Sequence, residues 1–149
     1  MHQIVLIEPK IPQNTGTIAR LCAATNSTLI LVGELGFSLD DKYLKRAGLD
    51  YWDHVSWEHH PNTNIFLENL NSNTPYLLSS KATVPYTDVD YSQDQTLIFG
   101  SETEGLSDEI KHQFSDRLIT IPMANKNIRS LNLANSVSIV LYEVIRQNR

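Results

Sequence analysis

Residues 96–114 read TLIFGSETEGLSDEIKHQF, and this stretch decides the fold. Its first four residues form a short apolar run without alternation, the pattern of a strand buried on both faces. Gly100 follows directly, and glycine lets a chain turn sharply or approach another backbone closely. From Ser107 a helix is expected through residue 114, with Asp108 and Glu109 complementing its N-terminal dipole. Strand, glycine loop and helix thus follow one another within nineteen residues.

The same alternation runs along the chain. Apolar runs at 3–7, 29–32, 76–79 and 118–121 read as further strands. Helices are expected at 15–25 with Asn14 as N-cap, at 40–47 capped by Ser38 or Asp40, at 63–70, and at 131–146. The rest of 53–73 carries no clear pattern. Short continuous strands alternating with helices predict an α/β fold: a mostly parallel sheet with helices on both faces. In such sheets ligands sit at the carboxyl ends of strands. The loops after Ile7, Ser79, Phe99 and Ile121 are therefore the candidates.

Composition bounds the rest. A chain of 149 residues, 41% apolar, suffices for one domain with a core, and no linker or repeat divides 1–149. No apolar run approaches the roughly 20 residues that span a bilayer. Residues 4–7 are too few for the core of a signal peptide, so a cytoplasmic location is expected. The single cysteine, Cys22, excludes an internal disulfide. The five histidines show no metal-ligand spacing, so no metal is expected. A net charge of -5 argues against broad nonspecific nucleic-acid binding, though a local basic patch remains open.

Each candidate loop has a plain reading and a functional one. The glycines at 100 and 105 could form a ligand cradle or only a turn. The loop is neither a nucleophile elbow nor a Walker loop, since no Gly-x-Ser-x-Gly occurs and no lysine follows the second glycine. Arg20, one to two turns into its helix, is either solvated or aimed at a phosphate or hydroxyl. In the last helix Leu133, Val137, Val140, Leu141 and Val144 share one arc. Asn132, Asn135, Ser136, Tyr142, Glu143 and Arg146 share the other, with Ile139 as the exception. That second face is rich in amides and hydroxyls, which suits packing against a ligand, a second subunit or a loop backbone. Lys42, Lys45 and Arg46 lie at i, i+3 and i+4 on one helix face, and Lys126 and Arg129 flank the last loop.

Three blocks in this order, IPQNTGTIARLCAAT (11–25), FGSETEGL (99–106) and IPM with RSLNLANSVSIVLYE (121–123 and 129–143), closely resemble the motifs of the SPOUT class of RNA 2'-O-ribose methyltransferases. With GFSLDDKYLKRAGLDYW (36–52), the chain is similar to the small single-domain TrmL branch, the tRNA (cytidine(34)-2'-O)-methyltransferases, which modify the wobble nucleotide of leucine tRNAs. The resemblance covers nearly the whole chain.

The resemblance implies a C-terminal trefoil knot, a rare exception to ordinary chain topology, and a homodimer. It implies S-adenosylmethionine as cofactor, held by Leu78, Gly100, Ile121, Met123, Ser130 and Leu131. It places Arg20, Glu102, Ser130 and Asn132 around the reaction, with Tyr142 as an assistant or an interface residue. Arg20 of one subunit would serve the cofactor of the other. The family proposal makes this arginine the base. Arginine's pKa, above about 12, favours instead an arginine that binds the ribose-phosphate and stabilises the developing alkoxide. Arg20, Lys42, Lys45, Arg46, Lys126 and Arg129 would meet the tRNA, and neither DNA nor a membrane is implied as a partner. Where the family often reads Phe-Gly-Pro-Glu-Thr-Arg-Gly-Leu-Pro, this chain has Ser101, Glu104 and Ser107. A related enzyme acting on another tRNA or rRNA site, and a non-catalytic knotted RNA-binding protein, remain alternatives.

Overall fold

The computed structural model describes residues 1–71 and 74–149, the side chains of 48–50 excepted. Ser72 and Asn73, which end the unassigned stretch 53–73, lie outside the described residues.

Six strands form one sheet: β1 (Gln3–Ile7), β2 (Thr28–Val32), β3 (Ser56–His60), β4 (Pro75–Leu78), β5 (Thr96–Phe99) and β6 (Leu118–Ile119). Their order is β3-β2-β1-β5-β4-β6, and every pairing is parallel. The helices are α1 (Pro12–Thr25), α2 (Lys42–Gly48), α3 (Thr63–Glu68), α4 (Asp108–Gln113) and α5 (Leu133–Gln147), with a 3-10 turn at Leu49–His54.

Successive residues of a strand point to opposite faces, and the core divides accordingly. Ile4, Leu6, Leu29, Leu31, Leu97 and Phe99 pack with Ile18 and Cys22 of α1 and with Val137, Leu141 and Val144 of α5. Val5, Ile7, Ile30, Val32 and Ile98 pack with Leu67 of α3, with Ile110 of α4 and with Phe114 at its end. Strands buried on both faces need no alternation, which is why their runs read continuously.

Several boundaries differ from expectation, each for a local reason. Helix α1 starts at Pro12, with Ile11 in the cap position and no side-chain cap. Proline fits the first helical position because it lacks an N–H that would be unpaired there anyway. Asn14 is therefore inside the helix and is not its cap. Asp41, rather than Ser38 or Asp40, caps α2: its Oδ1 accepts from the N–H of Tyr43 (2.7 Å) and Leu44 (3.3 Å). Helix α5 begins two residues later than expected, because Asn132 takes the cap and accepts from Asn135 N–H at 3.1 Å. Ser136, assigned to the polar face, is buried, and its hydroxyl donates to the Asn132 carbonyl at 3.1 Å. Strand β3 was not expected at all. It is an edge strand with the sequence SWEHH and three exposed residues, so it lacks the apolar run that marked the others.

The loop after β4 is tied down at two places. Thr120 N–H donates to the Val84 carbonyl (2.9 Å), and Tyr86 N–H donates to the Thr120 carbonyl (2.8 Å). At the far end of α5, Gln147 accepts from Tyr91 N–H (3.0 Å) and donates to the Val89 carbonyl (3.1 Å). Residues 84–91 thus hold both the end of β6 and the end of the last helix. Among the described residues no helix is long and apolar enough to cross a membrane.

Candidate active site

The carboxyl ends of β4, β5 and β6 open into a cleft of about 290 Å³. Three loops make its walls: 78–81, 99–106 and 120–131, with Leu133 and Ser136 of α5 behind them. Its apolar surface comes from Leu78, Ile121, Met123, Leu131 and Leu133, and its charges from Lys81, Glu102, Glu104, Lys111 and Arg129.

Gly100 shapes the middle loop. A Cβ there would sit 2.1 Å from the carbonyl carbon of Gly105 and 2.3 Å from the Leu106 nitrogen, so only glycine permits this return of the chain. Gly105 has φ +66, and its N–H closes the loop on the Ser101 carbonyl at 2.9 Å. The serines that replace the family's prolines have local work. Ser101 Oγ accepts from Glu104 N–H (3.2 Å), and Ser107 Oγ caps α4 by accepting from Ile110 N–H (3.2 Å).

Glu102 is the brace between loops. Its carboxylate accepts from the backbone N–H of Lys10 (2.8 Å) and Ile11 (3.0 Å), and from Asn14 Nδ2 (3.4 Å). Asn14 Oδ1 accepts in turn from Asn132 Nδ2 (3.1 Å). One chain of hydrogen bonds therefore joins the loop after β5, the start of α1 and the start of α5. Because α1 has no side-chain cap of its own, Glu102 supplies an anion to the donors just before it.

All six residues expected to hold a cofactor, Leu78, Gly100, Ile121, Met123, Ser130 and Leu131, line the cleft together. Of the expected catalytic group, Glu102 and Ser130 line it, and Asn132 is linked to Glu102 through Asn14. Arg20 and Tyr142 are not among its walls. Arg20 is exposed on α1, with its guanidinium over the ring of Tyr51 at 5.0 Å, and Tyr142 is exposed on α5.

The basic residues are dispersed. Arg129 lines the cleft and Lys126 is exposed in the same loop. On α2, Lys42 and Arg46 flank the Tyr43 ring at 5.1 and 5.9 Å, while Lys45 Nζ lies 3.6 Å from Asp40. Among the described residues no group of three or more His, Cys, Asp or Glu could hold a metal ion.

Sequence reasoning missed the linking role of Asn14, because an asparagine before a helical pattern reads as a cap. It also missed Ser79, Lys81, Lys111 and Thr120 as cleft walls. Their only signal was their place at or near strand ends.

Comparison with known proteins identifies the family. A tRNA (cytidine(34)-2'-O)-methyltransferase of Methylovorus glucosotrophus is 43% identical over 149 residues, covering 99% of this chain and 96% of that protein. A solved structure concerned with 2-OH methylation of C/U34 on tRNA superposes with a TM-score of 0.91 at 39% identity, covering 99% of this chain and 96% of the other. The SpoU methyltransferase AviRb of Streptomyces viridochromogenes, solved with the cofactor AdoMet, matches with a TM-score of 0.86 at 25% identity, over 98% of this chain and 57% of its own. Residues 1–142 match the model of the SpoU rRNA methylase family. The chain belongs to that family and is an RNA methyltransferase of its class.

Proposed function

We propose that this protein transfers a methyl group from S-adenosylmethionine to the ribose 2'-oxygen of nucleotide 34 of leucine tRNAs, releasing S-adenosylhomocysteine and the 2'-hydroxyl proton. It acts as a homodimer of single 1–149 domains in the cytoplasm, with a trefoil knot at the C-terminus. The observation that carries this reading is the cleft itself, which gathers six expected cofactor residues while Arg20 of the same chain stays outside. A second copy would then bring its own Arg20 to the cleft. The double tether of residues 84–91 to β6 and α5 supports the threading.

The cleft fits the cofactor on its own chemistry. Gly100 keeps the backbone of the middle loop against Gly105 and Leu106, where a Cβ would force the floor apart. Leu78, Ile121, Met123 and Leu131 offer an apolar slot for a flat heteroaromatic ring, with backbone groups beside it for its nitrogens. Lys81, Lys111, Arg129 and Glu104 place both signs of charge around it, as a zwitterionic amino acid requires.

S-adenosylmethionine bound there supplies an electrophilic sulfonium methyl. The chain's own residues align the acceptor. Arginine stays protonated at neutral pH and offers planar donors that match a phosphate. Arg20 thus binds the ribose-phosphate and stabilises charge developing on the 2'-oxygen. Glu102 acts by holding the loops through Lys10, Ile11 and Asn14. Ser130 lies in the wall next to Arg129, where its hydroxyl can meet substrate. Lys42, Arg46 and Lys126 supply phosphate contacts that an acidic protein must concentrate locally.

The test is mapping of 2'-O-methyl groups in tRNA from a strain lacking the protein. Loss of the mark at position 34 of leucine tRNAs supports the reading, and its persistence there contradicts it. Cofactor titration by calorimetry, with tRNA present, separates an enzyme from a binding protein that has lost activity.

A further inference from the structure

We infer that Tyr51 is a positioning residue for Arg20, holding its guanidinium by the face so that its donors remain free for the substrate. This rests on the role proposed for Arg20. The Arg20 Cζ lies 5.0 Å from the centre of the Tyr51 ring. Among the described residues the side chain of this arginine makes no hydrogen bond and no ion pair.

The choice of partner matters chemically. A carboxylate beside Arg20 would occupy two donors of the guanidinium and offset its charge. An aromatic ring attracts the cation through its quadrupole without supplying a carboxylate or carbonyl acceptor that would occupy the N–H groups. An unsupported arginine spreads over many rotamers and must be ordered when it binds. The ring reduces that spread before substrate arrives.

Tyr51 itself is well placed. It lies in the 3-10 turn Leu49–His54, which packs against α1. Its neighbour Trp52 anchors that turn in the main core and meets Trp57 edge-on at 5.8 Å. Tyr51 stays 38% exposed. The turn is thus fixed from below while its outer ring faces the arginine.

The test uses the intact protein, a leucine tRNA transcript and S-adenosylmethionine. Arg20→Ala comes first: undiminished methyl transfer there overturns the role of Arg20 and leaves Tyr51 nothing to position. With that loss established, Tyr51→Leu is expected to lower kcat about tenfold. Cofactor affinity, the KM for tRNA and the melting temperature should stay near wild type. Tyr51→Phe, which keeps the aromatic face, should retain most activity. Full activity in Tyr51→Leu overturns the proposal. So does equal impairment of Tyr51→Phe, which would assign the effect to the hydroxyl. A loss in Tyr51→Leu matched by weaker cofactor binding or a lowered melting temperature also overturns it, since the turn would then be merely structural.

Discussion

Asn132 donates its side-chain amide to the side-chain oxygen of Asn14 at 3.1 Å, across 118 residues of sequence. The same Asn132 caps α5 with its own Oδ1. One side chain therefore starts the last helix and fastens it to the first. Two substitutions separate these jobs. Asn132→Ala loses both, and the missing cap alone costs about 1 kcal/mol, or a melting temperature lower by roughly 2–4 °C. Asn132→Asp keeps the cap and places a favourable charge at the helix start, but it cannot donate to Asn14. Its melting temperature should approach wild type while methyl transfer falls as in Asn132→Ala. Thermal melts and single-turnover assays read the two effects, and full activity in Asn132→Asp would remove the link from the site.

Glu102 is expected to act as a brace rather than a proton acceptor. Glu102→Ala leaves the partly buried N–H of Lys10 and the exposed N–H of Ile11 without their carboxylate, a loss on the order of 1 kcal/mol because water can reach the exposed donor. Both stability and cofactor affinity should fall together. In Glu102→Gln, residual transfer should keep the wild-type pH profile. A displaced profile would give Glu102 a direct part in moving protons.

The two glycines of the middle loop should respond unequally. Gly100→Ala drives a methyl into the backbone of Gly105 and Leu106, neither of which can yield cheaply, and should abolish cofactor binding or folding. A Cβ on Gly105 would meet nothing within 4 Å, and only its φ of +66 penalises the change. Gly105→Ala should cost about 1 kcal/mol and keep binding. Calorimetric titration of both variants checks the contrast.

Two groups frame the pH range of stability. Glu143 is held down to about 2 from an ordinary 4.5, chiefly by hydrogen bonds from Arg146 and Gln147. A depressed folded value means stability present above the ordinary pKa and lost as pH falls from about 4.5 toward 2. Glu143→Gln should flatten that acid limb in a urea-melt series across pH. Burial pushes the Cys22 thiol up from 9.0 to about 12, so the fold loses stability as pH rises through that interval. The side chain is fully buried, and a thiol reagent at neutral pH should label it only on unfolding. Rapid labelling of the native protein would show that α1 opens.

Much of this was legible in the sequence, for physical reasons that particular residues make plain. Ile4 to Ile7 and Leu97 to Phe99 read as strands because a parallel sheet buries both faces, and the loops they feed were thereby marked as candidates. The six residues expected to hold a cofactor line one cleft because Leu78 ends β4 and the others lie on the loops after β5 and β6, though the roles expected of them came from the motif resemblance and not from spacing. Strand β3 was illegible because an edge strand needs only half an apolar face, and SWEHH lacks even that. Asn14 was misread because Pro12 takes the first helical position and moves the helix start back. The Arg20–Tyr51 contact depends on how a 3-10 turn packs on α1, which no local pattern encodes.

The central claim is that one chain's cleft works with Arg20 of a second chain, and mixed subunits test it most directly. Arg20→Ala lacks the arginine but keeps the cleft. Leu131→Arg fills the cleft from an exposed wall position and keeps the arginine. Each variant alone should be inactive toward position 34 of a leucine tRNA. After co-refolding, random pairing gives dimers with one complete site, and about a quarter of wild-type methyl transfer should return. A mixture as inactive as its components, or full activity from either variant alone, would contradict the account.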